Sequence, residues 1–377
     1  MTGQRCYILP PYITERLDGP QAQQAADARA ARVVAALSGA TPTADPFDKV
    51  GLFDAQHMTA LPGVPTTTAD PDAARVDAAL NATLDTYREL AQTFGQAGVV
   101  ASVHFDTAYD NAYWDGSQMV FGDGDGALFG SFTSCPDIAS HELTHGLTGA
   151  RLDYSGQSGA LNESMSDCFG ALVRQRLLNL SPADPDGWLI GKGLLLEPGA
   201  RALRDMLHPG TAYATGHLGA DPQPDSMSRY VHTTSDNGGV HLNSGIPNRA
   251  FALTAQALVS TEEAARVWLA ALDKVTPSAL FADFAAATVV LSPAALGPWQ
   301  VVGVLPVTPP PTLPPAPAPL PPAPVPLPPA PAPLPPVPTV DQTFVAELRK
   351  LLARKVWMPP RRFRVAAQAW LDSHPGL

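Results

Sequence analysis

The stretch His141-Glu142-Leu143-Thr144-His145 constrains this chain more tightly than any other. Two imidazoles four residues apart share a face on an α-helix, where four residues make just over one turn. The pentapeptide is therefore predicted to be helical. Two neutral imidazoles on one face supply half of a tetrahedral zinc site. Glu142 lies about 100° further round the helix, beside the metal rather than on it, where it can take a proton from a water. The pattern points to a metal-dependent hydrolase of peptide bonds. Chance occurrence on a surface helix, with both histidines satisfied, is the competing explanation.

A zinc site needs a third protein ligand, and Glu163 stands eighteen residues beyond His145, in Asn162-Glu163-Ser164-Met165-Ser166-Asp167. Gly156 to Gly159 are read as turn residues before it, and Phe169-Gly-Ala-Leu-Val173 continues in helical style. Glu163 is thus expected on a second helix facing the first. Asp167 is on the same face one turn on, placed to hold the far nitrogen of a ligand histidine and fix its tautomer. Asn162 is expected beside it in the same supporting shell. An ordinary solvated acidic face is the alternative for Asp167 taken alone.

Three blocks resemble the thermolysin family of zinc metallopeptidases. They are Asn111-Ala-Tyr-Trp114 with Gln118-Met-Val-Phe-Gly-Asp-Gly-Asp-Gly126, then HELTH with Asn162-Glu163, then Asp236-Asn-Gly-Gly-Val-His-Leu-Asn-Ser-Gly-Ile246. The resemblance covers roughly residues 50 to 302. Cys6-Tyr-Ile-Leu-Pro-Pro-Tyr-Ile13 looks like the short propeptide of the protealysin branch. Asp54-Ala-Gln56 with Leu61-Pro-Gly63 resembles the start of the mature enzyme there. The resemblance implies an α+β fold of two lobes, β-rich then helical, with the active site between them. It implies zinc on His141, His145 and Glu163, with Glu142 activating the water. Tyr154 and His241 would donate to the oxyanion, and Asp236 would orient His241. Asn111, Ala112 and Arg204 would bind the substrate backbone. Phe129, Phe132, Ile138 and Leu203 would line a pocket for a bulky apolar P1′ side chain.

These roles agree with elementary chemistry. Attack on an amide carbonyl builds charge on oxygen, and a cation, a phenol and an imidazolium aimed there stabilise it. Asp236 precedes His241 by five residues, and Gly238-Gly239 suits the tight turn that returns the carboxylate to the ring. Taken singly, His241 and Arg204 would be a satisfied surface histidine and a solvated cation, and the four apolar residues plain core. One methylene in an apolar pocket is worth only about 1–3 kcal/mol, so the P1′ preference is expected to be broad.

The chain also departs from the family. Of a double calcium site common there, Asp137 matches one ligand, but the other positions fall on Arg174, Gly187, Leu189 and Lys192. Calcium needs several oxygens, mostly carboxylate, so the double site is expected to be absent. Pro136 stands at the expected hinge between lobes and would stiffen it.

Composition limits the alternatives. Of 377 residues 45% are hydrophobic and 16% charged, enough apolar content for a large core. The net charge of −11 argues against nucleic acid as a partner. Three cysteines, Cys6, Cys135 and Cys168, are too few and odd in number for a disulfide framework. Cys135 and Cys168 read as buried small hydrophobes. For Cys6 two readings stand: a thiolate that ligates zinc in a zymogen, or an incidental residue in a segment that blocks the cleft by bulk. No apolar signal-peptide core is visible near Met1, and the apolar run at 285–306 is broken by Pro293, Gly297, Pro298 and Gly303, so no membrane span is expected. The chain is accordingly expected in the cytoplasm or released by a non-classical route.

The domain organisation is read as an inhibitory propeptide at 1–48, with a helix near 21–37; a β-rich lobe at 49–134, with a helix at 72–94 and a strand at 98–105; a helical lobe at 135–302; a proline-rich linker at 303–340; and a basic helical module at 341–377. Residues 306–338 hold nineteen prolines in thirty-three positions, with a seven-residue repeat starting at Leu313. Such density enforces polyproline II, a semi-rigid spacer on the order of 100 Å long. The last 37 residues contain seven Lys/Arg and three Asp/Glu, making them +4 and the remainder −15. That module either docks an unknown partner or the acidic enzyme body, or forms a marginal solvated hairpin. Two classes of function follow: an endopeptidase made as a zymogen and acting on peptide or protein substrates, or a partner-binding protein (or narrow processing protease) directed by the tail. Glu142, Tyr154, Asp236 and His241 favour the endopeptidase, because a retired site would have lost some of them.

Overall fold

The computed structural model describes residues 6–18, 50–90, 99–148 and 151–307. The predicted helix near 21–37, the polyproline linker from residue 308 and the basic module lie outside the described residues.

A mixed six-stranded sheet carries the N-terminal half, in the order β1 (Cys6–Tyr7), β5 (Ala112–Trp114), β6 (Gln118–Phe121), β4 (Val99–Val103), β2 (Val50–Asp54), β3 (Val64–Pro65). The central strands β2, β4 and β6 run parallel, and β1, β5 and β3 pair antiparallel. Strand β4 ends at Val103, inside the predicted 98–105. Helix α1 (Pro11–Asp18) follows β1. Helix α2 (Pro71–Glu89) starts where the sequence supplies a cap and a proline at the first turn: Asp70 accepts from the amides of Asp72 at 2.8 Å and Ala73 at 2.9 Å.

Two helices position the site. Helix α3 (Pro136–Thr148) carries HELTH and opens on Pro136, the residue expected at the hinge. Helix α4 (Gly156–Leu178) crosses it. Gly156 to Gly159 begin α4 rather than forming a turn before it; Gly156 adopts a φ of +55° that a glycine takes without cost, and the chain can enter the helix there. Every residue of α4 from Ser158 to Gln175 is buried, although many are polar. Such a helix survives only if its polar groups are paired. Gln175 accepts from Thr261 at 2.6 Å and donates to the Gly187 carbonyl at 3.1 Å; Asn162 and Asp167 bond across to α3. The close crossing depends on Gly170, where a Cβ would stand 2.8 Å from the carbonyl oxygen of Asp137.

The C-terminal half is mostly helical: α5 (Asp236–Asn243), α6 (Gly245–Leu258), α7 (Thr261–Leu272), α8 (Phe281–Leu291) and α9 (Leu296–Val301). Its core is aromatic, with the Trp268 and Trp299 rings stacked at 5.9 Å and Trp268 edge-on to Phe251 at 5.3 Å. Cys135 and Cys168 are both buried, as their composition-based reading expects. Among the described residues no helix is long and apolar enough to cross a membrane.

Candidate active site

Helix α3 presents His141 and His145 on one face, with their Nε2 atoms 3.0 Å apart. Glu163 on α4 completes the group: its carboxylate oxygens lie 3.4 Å from His141 Nε2 and 3.5 Å from His145 Nε2. A tetrahedral zinc with ligand bonds near 2.1 Å separates its donors by about 3.4 Å, so the donor set fits that ion. The far nitrogens are engaged as such a site requires. His141 Nδ1 bonds Asp167 Oδ1 and His145 Nδ1 bonds Asn162 Oδ1, both at 2.9 Å, which turns each Nε2 toward the common point. Burial pushes His145 down to about 4, so its ring is neutral. His141 behaves differently: burial opposes its charge, but Asp167 and Glu163 outweigh it and raise the ring to about 9. The same carboxylates favour a cation at this place.

Glu142 is fully buried beside these ligands. Its Oε2 accepts from the Trp114 amide at 3.0 Å, while Oε1 has no partner among the described residues. Burial pushes the carboxyl up to about 8, in the range of a useful base. A buried oxygen with no protein partner next to the donor set is consistent with a site built to receive a water.

Across the cleft, Asn237, Gly238 and Gly239 take left-handed φ values of 49°, 88° and 76° and turn the chain at the head of α5. That turn brings Asp236 Oδ1 to 2.6 Å from His241 Nδ1, with Oδ2 accepting the His241 amide at 2.9 Å. Burial disfavours the imidazolium, but Asp236 and Glu163 raise it to about 9. Tyr154, in the connection between α3 and α4, bonds Glu163 Oε1 and stands 3.5 Å from His241 Nε2. Gln223 holds the backbone at His241, donating to its carbonyl at 2.7 Å.

Arg204 lies on β8 (Arg204–Asp205), which pairs with β7 (Leu189–Ile190). It is 1% exposed and forks onto Asp167, with Nη2 to Oδ1 at 2.7 Å and Nε to Oδ2 at 2.8 Å. Asn248 on α6 donates to the same Oδ2 at 2.8 Å. Burial alone would raise Asp167; Arg204 and His141 prevail and hold it near 2. Sequence reasoning singles out neither Asn248 nor Gln223, because an amide on a helix or loop has no pattern of its own.

The N-terminal segment occupies the cleft. It lies antiparallel on β5, with Cys6 opposite Trp114 and Tyr7 opposite Tyr113. The Ile8 amide donates to the Ala112 carbonyl at 3.1 Å and the Leu9 amide to Asn111 Oδ1 at 3.2 Å. Arg204 Nη1 donates to the Ile8 carbonyl at 3.2 Å, and His241 Nε2 to the Tyr7 carbonyl at 3.1 Å. Ile8, Leu9 and Ile13 are buried in one apolar cluster with Phe129, Phe132, Ile138 and Leu203. The Cys6 side chain lies outside the described residues.

At the calcium-like position, Asp137 is fully buried, its Oδ1 3.8 Å from Arg174 Nε and its Oδ2 accepting the Gly191 amide. Lys192 pairs with Asp186.

Known proteins match over most of this body. The family model for the thermolysin metallopeptidase catalytic domain matches residues 52–149, and that for the thermolysin metallopeptidase alpha-helical domain matches 150–298. An extracellular metalloprotease of Pectobacterium carotovorum is 42% identical over 312 residues, covering 75% of this chain and 89% of its own. An extracellular minor metalloprotease of Serratia marcescens is 57% identical over 124 residues, 32% of this chain and 35% of its own. The solved precursor of protealysin, a metalloproteinase from Serratia proteamaculans, superposes with a TM-score of 0.70 at 37% identity, covering 80% of this chain and all of that one. These names overturn the expectation of a cytoplasmic or non-classically released protein: both of these relatives are named extracellular. Reading a location from the residues near Met1 gave them too much weight.

Proposed function

The chain belongs to the thermolysin family of metallopeptidases, in the protealysin branch, and is a metalloendopeptidase; from that premise we propose which of its residues perform the hydrolysis and how the chain restrains itself. The observation that carries the assignment is the convergence of His141, His145 and Glu163, whose ligand atoms lie within 4.8 Å of one another, with Glu142 buried alongside. Those three side chains would hold zinc, which when bound polarises a carbonyl oxygen and acidifies water.

Glu142 acts as the base. It takes a proton from the attacking water and returns it to the leaving amine, a role its raised affinity for protons suits. His241, kept cationic by Asp236, donates to the developing oxyanion; its present bond to the Tyr7 carbonyl supports this. Tyr154 joins it by exchanging its Glu163 bond for the same oxygen. Asn111, Ala112 and Arg204 bind the backbone on the primed side, and Phe129, Phe132, Ile138 and Leu203 select a bulky apolar P1′ side chain, as the burial of Ile8 among them supports. Asp167 and Asn162 orient the ligand histidines.

Residues 1–48 act as a propeptide, the chain being a zymogen until they leave. The hold of Tyr7 to Leu9 on the cleft supports inhibition by occupancy. We expect no double calcium site here; Arg174 beside Asp137 and Lys192 on Asp186, cations where oxygen ligands would be needed, support that reading. The domain limits 49–134 and 135–302 remain our reading of the two peptidase lobes.

The test is zinc analysis and peptide hydrolysis of the purified protein beside Glu142→Ala. Zinc retained at one equivalent with hydrolysis lost is expected; a fully active variant would remove Glu142 from the mechanism.

A further inference from the structure

A peptide can lie on the edge of β5 in either direction, and the two directions have opposite consequences. One places its amides and carbonyls where a substrate's would be; the other makes it an uncuttable plug. The segment Tyr7-Ile8-Leu9 runs antiparallel to β5 and satisfies four cleft groups in succession. The Tyr7 carbonyl accepts from His241 at 3.1 Å, the Ile8 amide donates to Ala112 at 3.1 Å, the Ile8 carbonyl accepts from Arg204 at 3.2 Å, and the Leu9 amide donates to Asn111 at 3.2 Å. The carbonyl that faces His241 is therefore the one immediately before the residue seated in the apolar pocket. Ile8 is 0% exposed there and Leu9 1%.

We infer, resting on the peptidase reading above, that the Tyr7–Ile8 peptide bond is itself a cleavage site, cut within the same molecule to release Met1–Tyr7, and that residues 8–18, still joined to the rest of the chain, stay docked afterwards on the primed side. Glu142 takes a proton from water, whose oxygen bonds to the Tyr7 carbonyl carbon while His241 holds the resulting oxyanion. The carbon–nitrogen bond then breaks, the Ile8 nitrogen receives the proton from Glu142, and the products are a Tyr7 carboxylate and an Ile8 amine. Only water is consumed.

The sequence pins this register. The Ala112 carbonyl needs an amide hydrogen from the residue after the broken bond, and Pro10 and Pro11 have none, so neither can take the place of Ile8. A slip of one residue would turn each of the Ile8 and Leu9 side chains to the face opposite its present one. Retention after the cut has its own anchors. Ile13 on α1 is 1% exposed in the same cluster, and Arg16 Nε donates to the His217 carbonyl at 2.8 Å. Inhibition thus outlasts the first cut, and undocking of the still-tethered segment 8–18 is a separate step.

The full chain is loaded with zinc, incubated at a tenfold range of protein concentration, and followed by intact-mass spectrometry and N-terminal sequencing. A new N-terminus at Ile8, appearing at a rate independent of concentration and missing in Glu142→Ala, is expected. A rate that rises with concentration overturns cutting within one molecule. Competence of the site is read separately in a triple variant, Ile8→Asp with Leu9→Asp and Ile13→Asp, which opens the cleft, using an unrelated apolar peptide. Hydrolysis of that peptide with the wild-type Tyr7–Ile8 bond intact overturns this inference and leaves the peptidase reading standing. No hydrolysis by the zinc-loaded triple variant removes the peptidase reading and this inference with it.

Discussion

On the proposed assignment Asp167 would join metal binding to substrate binding, so its replacement by Asn is expected to perturb both at once. One carboxylate receives His141 Nδ1 at 2.9 Å, both arms of the Arg204 fork at 2.7 and 2.8 Å, and Asn248 at 2.8 Å. Asn has the same shape but no charge, and its amide nitrogen turns two donors toward either Arg204 or His141. Arg204, 1% exposed, is left as a buried cation without its main counter-charge. Removing one partner of a buried pair costs about 3–5 kcal/mol. At about 2 °C per kcal/mol for a body of this size, the apparent Tm should fall by about 6–10 °C. Zinc affinity should fall about 10- to 100-fold, because the ligand ring loses its charged anchor. Calorimetry of the full chain with and without zinc, and competition against a chromophoric chelator, measure the two effects. A Tm shift under about 1 °C together with zinc affinity within about twofold of wild type would refute the coupling, since neither of the costs above could then be present.

Other consequences are checked more simply. His104 stands between two carboxylates, Nδ1 at 2.9 Å from Asp123 and Nε2 at 3.2 Å from Asp70, the cap of α2. Burial works against its charge, yet the carboxylates raise its pKa. The stabilisation is therefore complete below about pH 6.5 and is lost as the pH climbs through the raised folded value; His104→Gln should flatten the Tm–pH curve on that alkaline side, and an unchanged curve would count against the link. Cys135, pushed up to about 12 by burial, and Cys168, also raised by burial, should escape alkylation by iodoacetamide in the folded protein and react only on unfolding, as peptide mapping would reveal. A calcium-selective chelator should move the Tm by less than about 2 °C; a loss of many degrees would mean that Asp137 and its surroundings do hold calcium after all.

Local geometry explains why much of the site can be read without coordinates. HELTH puts His141 and His145 together because four residues nearly close a helical turn, and that holds wherever the helix lies. Glu163 and Asp167 share a face of α4 for the same reason. Asp236 reaches His241 because Asn237-Gly-Gly239 can turn left-handed, a property of those residues alone. The lack of carboxylates at Arg174 and Lys192 is equally visible in the chain. Less local features resisted. Gly156 to Gly159 have turn composition, yet tertiary burial of α4 draws them into the helix. Location inferred from the character of the first residues was mistaken, because targeting is not a folding property of the chain.

What tertiary structure alone decided is which distant groups meet. Arg204 and Asn248 find Asp167 across 37 and 81 residues, and His241 reaches the Tyr7 carbonyl across 234. Each of these contacts is fixed by packing, such as the crossing permitted by Gly170 or the β5 edge that accepts one more strand. The chemistry of the donors is written in the order of the residues, because helix and turn periods are short. Their coupling into one centre, and the polarity with which the N-terminal segment enters it, depend on side chains buried against partners far along the chain, where no local period reaches.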